Sequence, residues 1–497
     1  MKNRLKILFL SSEVAPFAKT GGLADVSSAL PKAFFDLGHD VRIMMPKYGS
    51  INERKYVLRE VIRLKKIPVT MGGVEYITSA KSAFIPDTKV QVYFLEYKPF
   101  FDRADLYVDP KTKLDYPDNP ERYALFCKAV VQTIKVLHWE PQIIHCNDWQ
   151  TALIPWMLRN SLNQDPFFAR TRSLLSIHNL AYQGTFSSEH LPGLGIPESL
   201  AESGSEMEFY GKLNFLKAGI LNADTITTVS PTYAREIQGD SDLSSGLGDV
   251  LQSRRRDIYG ILNGADYTLW DPETDPLIAR NYSAASLKDK VENKRTLCEK
   301  CGMSFDPDIP VIGMISRLTE QKGFDLICDG FDELMALGVQ LVILGTGDPK
   351  YHDELSEWCR KYPQQTALHL RFDNNLAHLI EAGSDIFLMP SRFEPCGLNQ
   401  MYSMKYGTIP VVRNTGGLAD TVIDAAEQPG KGTGFLFEAF ESGAMIAAVR
   451  NAKEAYNDRS GWGRLMKRAM KNNFSWTSAA EKYIKLYSKL ENKRQRN

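Results

Sequence analysis

Short apolar runs alternate with amphipathic stretches of helical period along most of the chain. In the first half the runs at 7–10, 143–145, 174–177 and 223–230 each read as a buried strand that ends in a polar turn and a helix. Residues 56–97 alternate apolar and polar positions instead, the pattern of antiparallel hairpins inserted in a domain. In the second half, PVIGMISRL, VQLVILGTGD, ALHLRF, SDIFLMPS, TIPVVRN and GTGFLFE are buried strands, most of them separated by helical segments, which predicts a doubly wound parallel sheet. The expected fold class is therefore α/β, with two Rossmann-like doubly wound domains facing across a cleft. The proline-rich, acidic WDPETDPLIARNY marks their boundary, giving domains at 1–265 and 266–476, and the helix at 477–497 is expected to pack back on the first.

In such sheets ligands bind at the carboxyl edge, where strands hand over to helices. Glu394 lies in one of these turns, between the apolar run 386–389 and a helix at 398–406, and a second buried strand follows at 409–412. The first strand leads into KTGGLADV, where Gly21 and Gly22 open a helix beside Lys19. Paired glycines there serve either a tight turn or a phosphate group, and the motif is neither a dinucleotide fingerprint nor a Walker sequence. NTGGLADTV at Asn414 nearly repeats the words, as if two related sheets each aimed a helix N-terminus at the site. Asp148, His178 and Asn179 follow two successive buried strands, which favours a shared pocket. The stretch after Tyr97, rich in Tyr, Phe, Asp and Pro, suits stacking on sugar rings, and it equally suits an ordered loop with a local aromatic core.

Bulk composition narrows the partners. With 60 basic and 60 acidic residues in 497, the formal net charge is +0, which gives no footprint for nucleic acid. Seven scattered cysteines favour a reducing compartment, and the lone CxxC at Cys298 and Cys301 reads as two ordinary thiols. No apolar run approaches the roughly 20 residues that span a bilayer, so a cytoplasmic protein without a membrane partner is expected. Asp306 and Asp308 sit in a proline turn, so no metal site is expected from them.

Arg317, at the end of MISRL, and Lys322, in the loop that follows, form a candidate anion clamp for a diphosphate leaving group, whose growing charge needs fixed cations. Taken together and in order, KTGGLADV, HNLAYQG, ISRLTEQKGFD and SRFEPCGLNQMYSMKYG resemble the bacterial and plant glycogen/starch synthases, retaining glycosyltransferases of GT-B type. The resemblance covers nearly the whole chain. It implies transfer of glucose from ADP-glucose to the non-reducing end of an α-1,4-glucan, with release of ADP and with no cofactor and no metal. On that resemblance the catalytic group is Glu394, His178, Arg317 and Lys322. Donor contacts would come from Lys19, Gly21, Gly22, Asp25, Asp148, Asn179, Asn263, Cys396, Gly397, Leu398, Thr415 and Gly416, and acceptor-side contacts from Tyr97, Gln150 and Tyr182. Gln150 stands where the family usually reads histidine. Tyr402 stands where many related transferases carry a second carboxylate, a position the synthases also lack. Left open are a related transferase using UDP-glucose or another acceptor, an α-glucan phosphorylase and a non-catalytic glucan binder.

Overall fold

The computed structural model describes residues 4–239 and 242–494, so the last three positions of the expected C-terminal helix lie outside the described residues. The chain forms two compact units. The first holds the residues up to Val229, Ala234–Gly264 and the segment from Trp476 onward; the second holds Ser230–Tyr233 and Ala265–Ser475.

Seven parallel strands build the sheet of the first unit: β1 (Lys6–Leu10), β2 (Asp40–Pro46), β3 (Gln91–Glu96), β4 (Ile143–Asn147), β5 (Arg172–Ile177), β6 (Thr225–Thr228) and β7 (Ile258–Gly260). Their spatial order is β7-β6-β5-β4-β1-β2-β3, and antiparallel strands within 59–84 extend the sheet beyond β3. Every residue of β4 is buried, as are four of the five in β1, because helices cover both faces of a parallel sheet. Helix α1 (Gly22–Asp36) buries Ala24, Val26, Leu30, Ala33 and Phe34. The long final helix Trp476–Arg494 packs on α1, with Phe34 and Tyr487 rings 5.5 Å apart. Tyr487 also reaches under the sheet, its hydroxyl 2.6 Å from His145 Nδ1, and the contact runs on through Ser176 to Thr227.

The second unit has six parallel strands: β8 (Val311–Ile315), β9 (Gln340–Leu344), β10 (Thr366–His369), β11 (Ile386–Met389), β12 (Ile409–Arg413) and β13 (Phe435–Phe437). Their order is β10-β9-β8-β11-β12-β13, the doubly wound arrangement that the alternation of runs predicts. A core of Ile312, Leu341, Ile343, Leu388, Val411 and Phe435 fills one face, and Val342, Leu344, Ile380 and Phe387 fill the other. In each unit the strand order reverses at one place, between β1 and β4 and between β8 and β11. At such a switch point adjacent loops diverge and leave a crevice at the carboxyl ends of the strands.

Candidate active site

At the first switch point, β1 runs into Ser11, Ser12 and Glu13, all buried. Glu13 Oε2 accepts from the amides of Thr20 (2.5 Å) and Gly21 (3.1 Å), and Oε1 accepts from the hydroxyls of Thr20 (2.6 Å) and Tyr107 (2.8 Å). The carboxylate thereby fixes the turn before α1. Neither Gly21 nor Gly22 has a positive φ, and a Cβ at either would meet nothing within 4 Å. The protein's own packing does not call for these glycines; the open space over a helix N-terminus is what a phosphate needs. Lys19 and Asp25 pair at 2.7 Å beside it, both exposed.

Across the switch point, Asn147 closes β4 and donates to the Leu10 carbonyl at 2.8 Å, which turns its own Oδ1 toward His178 Nε2, also 2.8 Å away. Burial pushes the His178 imidazole down to about 4, so the ring is neutral, its Nε2 donates, and Nδ1 keeps its lone pair. Asp148 sits at φ +55, ψ −173, a sparsely populated conformation for a residue with a side chain. Its Oδ1 accepts from the His178 amide at 2.8 Å, and burial pushes the carboxyl up to about 7 against the pull of that bond. Asn179 accepts from the Ala181 amide. Gln150 is buried with its Oε1 lacking a hydrogen-bond partner among the described residues. Tyr97 lies in an aromatic cluster with Tyr76 and Phe100, Tyr182 is 63% exposed, and Asn263 is half-buried just before Gly264, where the chain leaves the first unit.

In the second unit the loops after β8 and β11 are knit together. The Arg392 amide donates to the Gln321 carbonyl at 2.9 Å. Gly323, at φ +75, passes so close to Pro390 that a Cβ would fall 2.0 Å from its carbonyl oxygen. This brings Lys322 Nζ to 2.5 Å from Glu394 Oε2, which also accepts from Ser391 Oγ at 3.2 Å. Glu394 is only 7% exposed. Arg317 is exposed and makes no ion pair among the described residues. The turn Cys396–Gly397–Leu398 is held by Gln400, whose Nε2 donates to the Cys396 and Gly397 carbonyls before the helix α2 (Asn399–Lys405) begins.

The second TGG motif differs physically from the first. Gly416 has φ +46, and a Cβ there would lie 2.0 Å from the Glu394 carbonyl oxygen; one on Gly417 would lie 2.0 Å from that of Cys396. Thr415 is buried beside them. Here the glycines let one backbone rest on another, and the helix they open, α3 (Gly416–Thr421), has six residues against the fifteen of α1. The repeated words thus hold open space in one unit and support the Glu394 loop in the other.

Residues 6–253 match the family model for the starch synthase catalytic domain, and residues 303–469 match that for group 1 glycosyl transferases. Glycogen synthase 2 of Geobacter sulfurreducens is 46% identical over 483 residues, covering 97% of this chain and 98% of that protein. Glycogen synthase of Thermotoga maritima is 44% identical over 490 residues, covering 98% and 99%. The chain belongs to the glycogen/starch synthase family. Among solved structures, the catalytic domain of starch synthase IV from Arabidopsis thaliana, bound to ADP and acarbose, superposes with a TM-score of 0.87 at 32% identity, covering 99% of this chain and all of that one. A sucrose-phosphate synthase from Thermosynechococcus elongatus shares the fold at 17% identity and a TM-score of 0.57. The synthase fold is the GT-B glycosyltransferase fold of two Rossmann-like domains.

Tyr402 on α2 stacks on Trp270 at 4.5 Å and 10°, and Trp270 stacks in turn on His378 at 3.8 Å, so the place of a second carboxylate is given to an aromatic stack. Glu13, Asn147 and Ser391 were not among the residues picked out from sequence. A carboxylate three residues past the first buried strand was the available signal for Glu13. Among the described residues, no group of three or more His, Cys, Asp or Glu side chains is placed to hold a metal, and no helix is long and apolar enough to cross a membrane.

Proposed function

We propose that this synthase transfers glucose from ADP-glucose to the non-reducing 4-hydroxyl of an α-1,4-glucan, with retention of configuration and release of ADP. The observation that carries the reading is the Lys322–Glu394 pair at the second unit's switch point, in a chain similar over almost its full length to a starch synthase bound to ADP and acarbose. The second unit takes the nucleotide sugar: Arg317 and Lys322 meet the charge that grows on the diphosphate as its bond to the glucosyl carbon breaks. Glu394, with Oε2 already held by Lys322 and Ser391, supports the glucosyl unit through its other oxygen. The first unit takes the acceptor side through Tyr97, Gln150 and Tyr182. Lys19, Gly21 and Gly22 lie against the donor, and neutral His178 offers Nδ1 to the transferred sugar.

Tyr402 leaves Glu394 without a carboxylate partner at that position, which disfavours a double displacement. Attack on the face from which ADP departs accounts for retention, with the leaving phosphate taking the proton of the acceptor hydroxyl. A covalent glucosyl adduct trapped on Glu394 would overturn that step. The donor is tested by offering ADP-glucose and UDP-glucose separately with glycogen and measuring nucleotide release. Glycogen-dependent release from ADP-glucose is expected, and release from UDP-glucose alone would overturn the assignment.

A further inference from the structure

We infer that Glu13 is a positioning residue that sets the sugar-nucleotide loop, and that Tyr107 couples it to the aromatic loop on the glucan side; the inference rests on the function proposed above. Glu13 is 4% exposed, yet all four groups bonded to its carboxylate are donors, and two of them are the backbone amides of Thr20 and Gly21. Those amides are consumed just ahead of α1. The next two, on Gly22 and Leu23, have no protein acceptor among the described residues, as expected at a helix start. The carboxylate therefore does not compete for the free amides; it decides where they point. A negative group this close to a diphosphate site is tolerated because its charge is already spent on fixed donors.

Glu13 is itself held from two sides. Ser11 Oγ donates to the Glu13 carbonyl at 2.7 Å and accepts from Ser27 of α1 at 2.9 Å. Tyr107 donates to Glu13 Oε1 at 2.8 Å and pairs with Ser12 Oγ at 2.7 Å. Tyr107 in turn sits on a loop fixed by Arg122, a fully buried guanidinium whose Nε donates to the Phe100 carbonyl at 2.7 Å and whose Nη1 donates to that of Leu106 at 3.0 Å. Phe100 packs on Tyr97, the acceptor-side aromatic, with ring centroids 5.1 Å apart. One buried arginine thus carries the loop that bears Tyr97 near one end and the Glu13 anchor near the other.

The two oxygens of Glu13 allow position to be separated from charge. Oε2 receives only backbone N–H groups, whereas Oε1 receives two hydroxyls, which can turn and accept instead. A glutamine with its amide nitrogen at the Oε1 site keeps the geometry and loses the charge. The test compares full-length wild type, Glu13→Gln, Glu13→Ala and Tyr107→Phe for the KM of ADP-glucose, kcat, ADP affinity by calorimetry, and thermal melting. The inference predicts that Glu13→Gln stays within about threefold of wild type in donor KM. Glu13→Ala should raise donor KM and weaken ADP binding on the order of tenfold to a hundredfold through a misplaced loop. Tyr107→Phe, which keeps the ring and removes only the hydroxyl shared with Glu13 and Ser12, should raise donor KM about fivefold, the scale of a lost hydrogen bond to the carboxylate. An alanine variant that melts and binds like wild type overturns the inference. So does a glutamine variant as impaired as alanine, which would mean that the charge acts, and so does an unchanged donor KM in Tyr107→Phe. Absence of activity with ADP-glucose in wild type would instead remove the donor assignment, while ADP calorimetry would still report on Glu13.

Discussion

Lys322 and Glu394, 72 residues apart in sequence, form an ion pair of 2.5 Å in which the carboxylate is nearly buried and the lysine half-buried. In the absence of substrate the lysine satisfies the carboxylate. On the function proposed above, a diphosphate drawn to Lys322 would give the cation a second anionic partner and so link donor binding to the orientation of Glu394 through one ammonium group.

That link predicts non-additive mutant kinetics. Lys322→Ala should lower turnover about 10²- to 10³-fold, the usual effect of removing a preorganised group that meets developing charge. Glu394→Gln should lower kcat far more than it raises the KM for ADP-glucose. The double variant should lose clearly less than the product of the two single losses, because each single change already breaks the pair. Steady-state kinetics on the four proteins checks this; strict additivity would contradict the coupling.

Asp148 and His178 should leave opposite marks on the pH dependence of stability. His178 is held down to about 4 against an ordinary 6.5, so its neutral form stabilises the fold near neutrality, and that contribution is lost as pH falls from about 6.5 toward 4. Asp148 is pushed up to about 7 from 3.8, so its burdened anion costs stability as pH rises through the same range toward 7, and nothing below 3.8. Asp148→Asn should therefore melt higher than wild type at pH 8, with the gain shrinking toward pH 4. Melting curves across that range check the sign; a gain that grows on acidification would contradict it.

How much of this was legible in the sequence follows from the physics of each feature. Buried parallel strands are continuous apolar runs, so most strands of both sheets and the polar turns at their ends could be read directly, Glu394, His178 and Lys322 among them; the exception is Gln91–Glu96, expected within an antiparallel insertion, which pairs in parallel with β2 and is antiparallel only on its other edge. The pairing of Lys322 with Glu394 could not, because it depends on Gly323 lying against Pro390, a contact between loops distant in sequence. The two TGG motifs looked alike since the sequence does not show whether a glycine faces open space or another backbone. Glu13 was missed for a related reason: its four donor groups come from Thr20 and Gly21, seven and eight residues on, and from Tyr107, 94 residues away.

The final helix should behave as part of the first unit's core. Tyr487→Phe removes the hydroxyl facing His145 Nδ1 and leaves a buried ring nitrogen unpaired within the chain from Tyr487 to Thr227. A loss of about 1–3 kcal/mol in unfolding free energy is expected, with kcat unchanged at temperatures where the variant is folded. Denaturant unfolding measures it, and a wild-type midpoint would contradict the role given to this contact.

The central claim is glucosyl transfer from ADP-glucose with retention, and the most direct measurement is of the bond formed. Incubation with ADP-glucose labelled at the glucosyl C1 and a maltooligosaccharide acceptor, followed by NMR, should show the label at the non-reducing end in a new α-1,4 linkage, with one ADP released per glucose added. Label in a β linkage, or ADP released without elongation, would contradict the account.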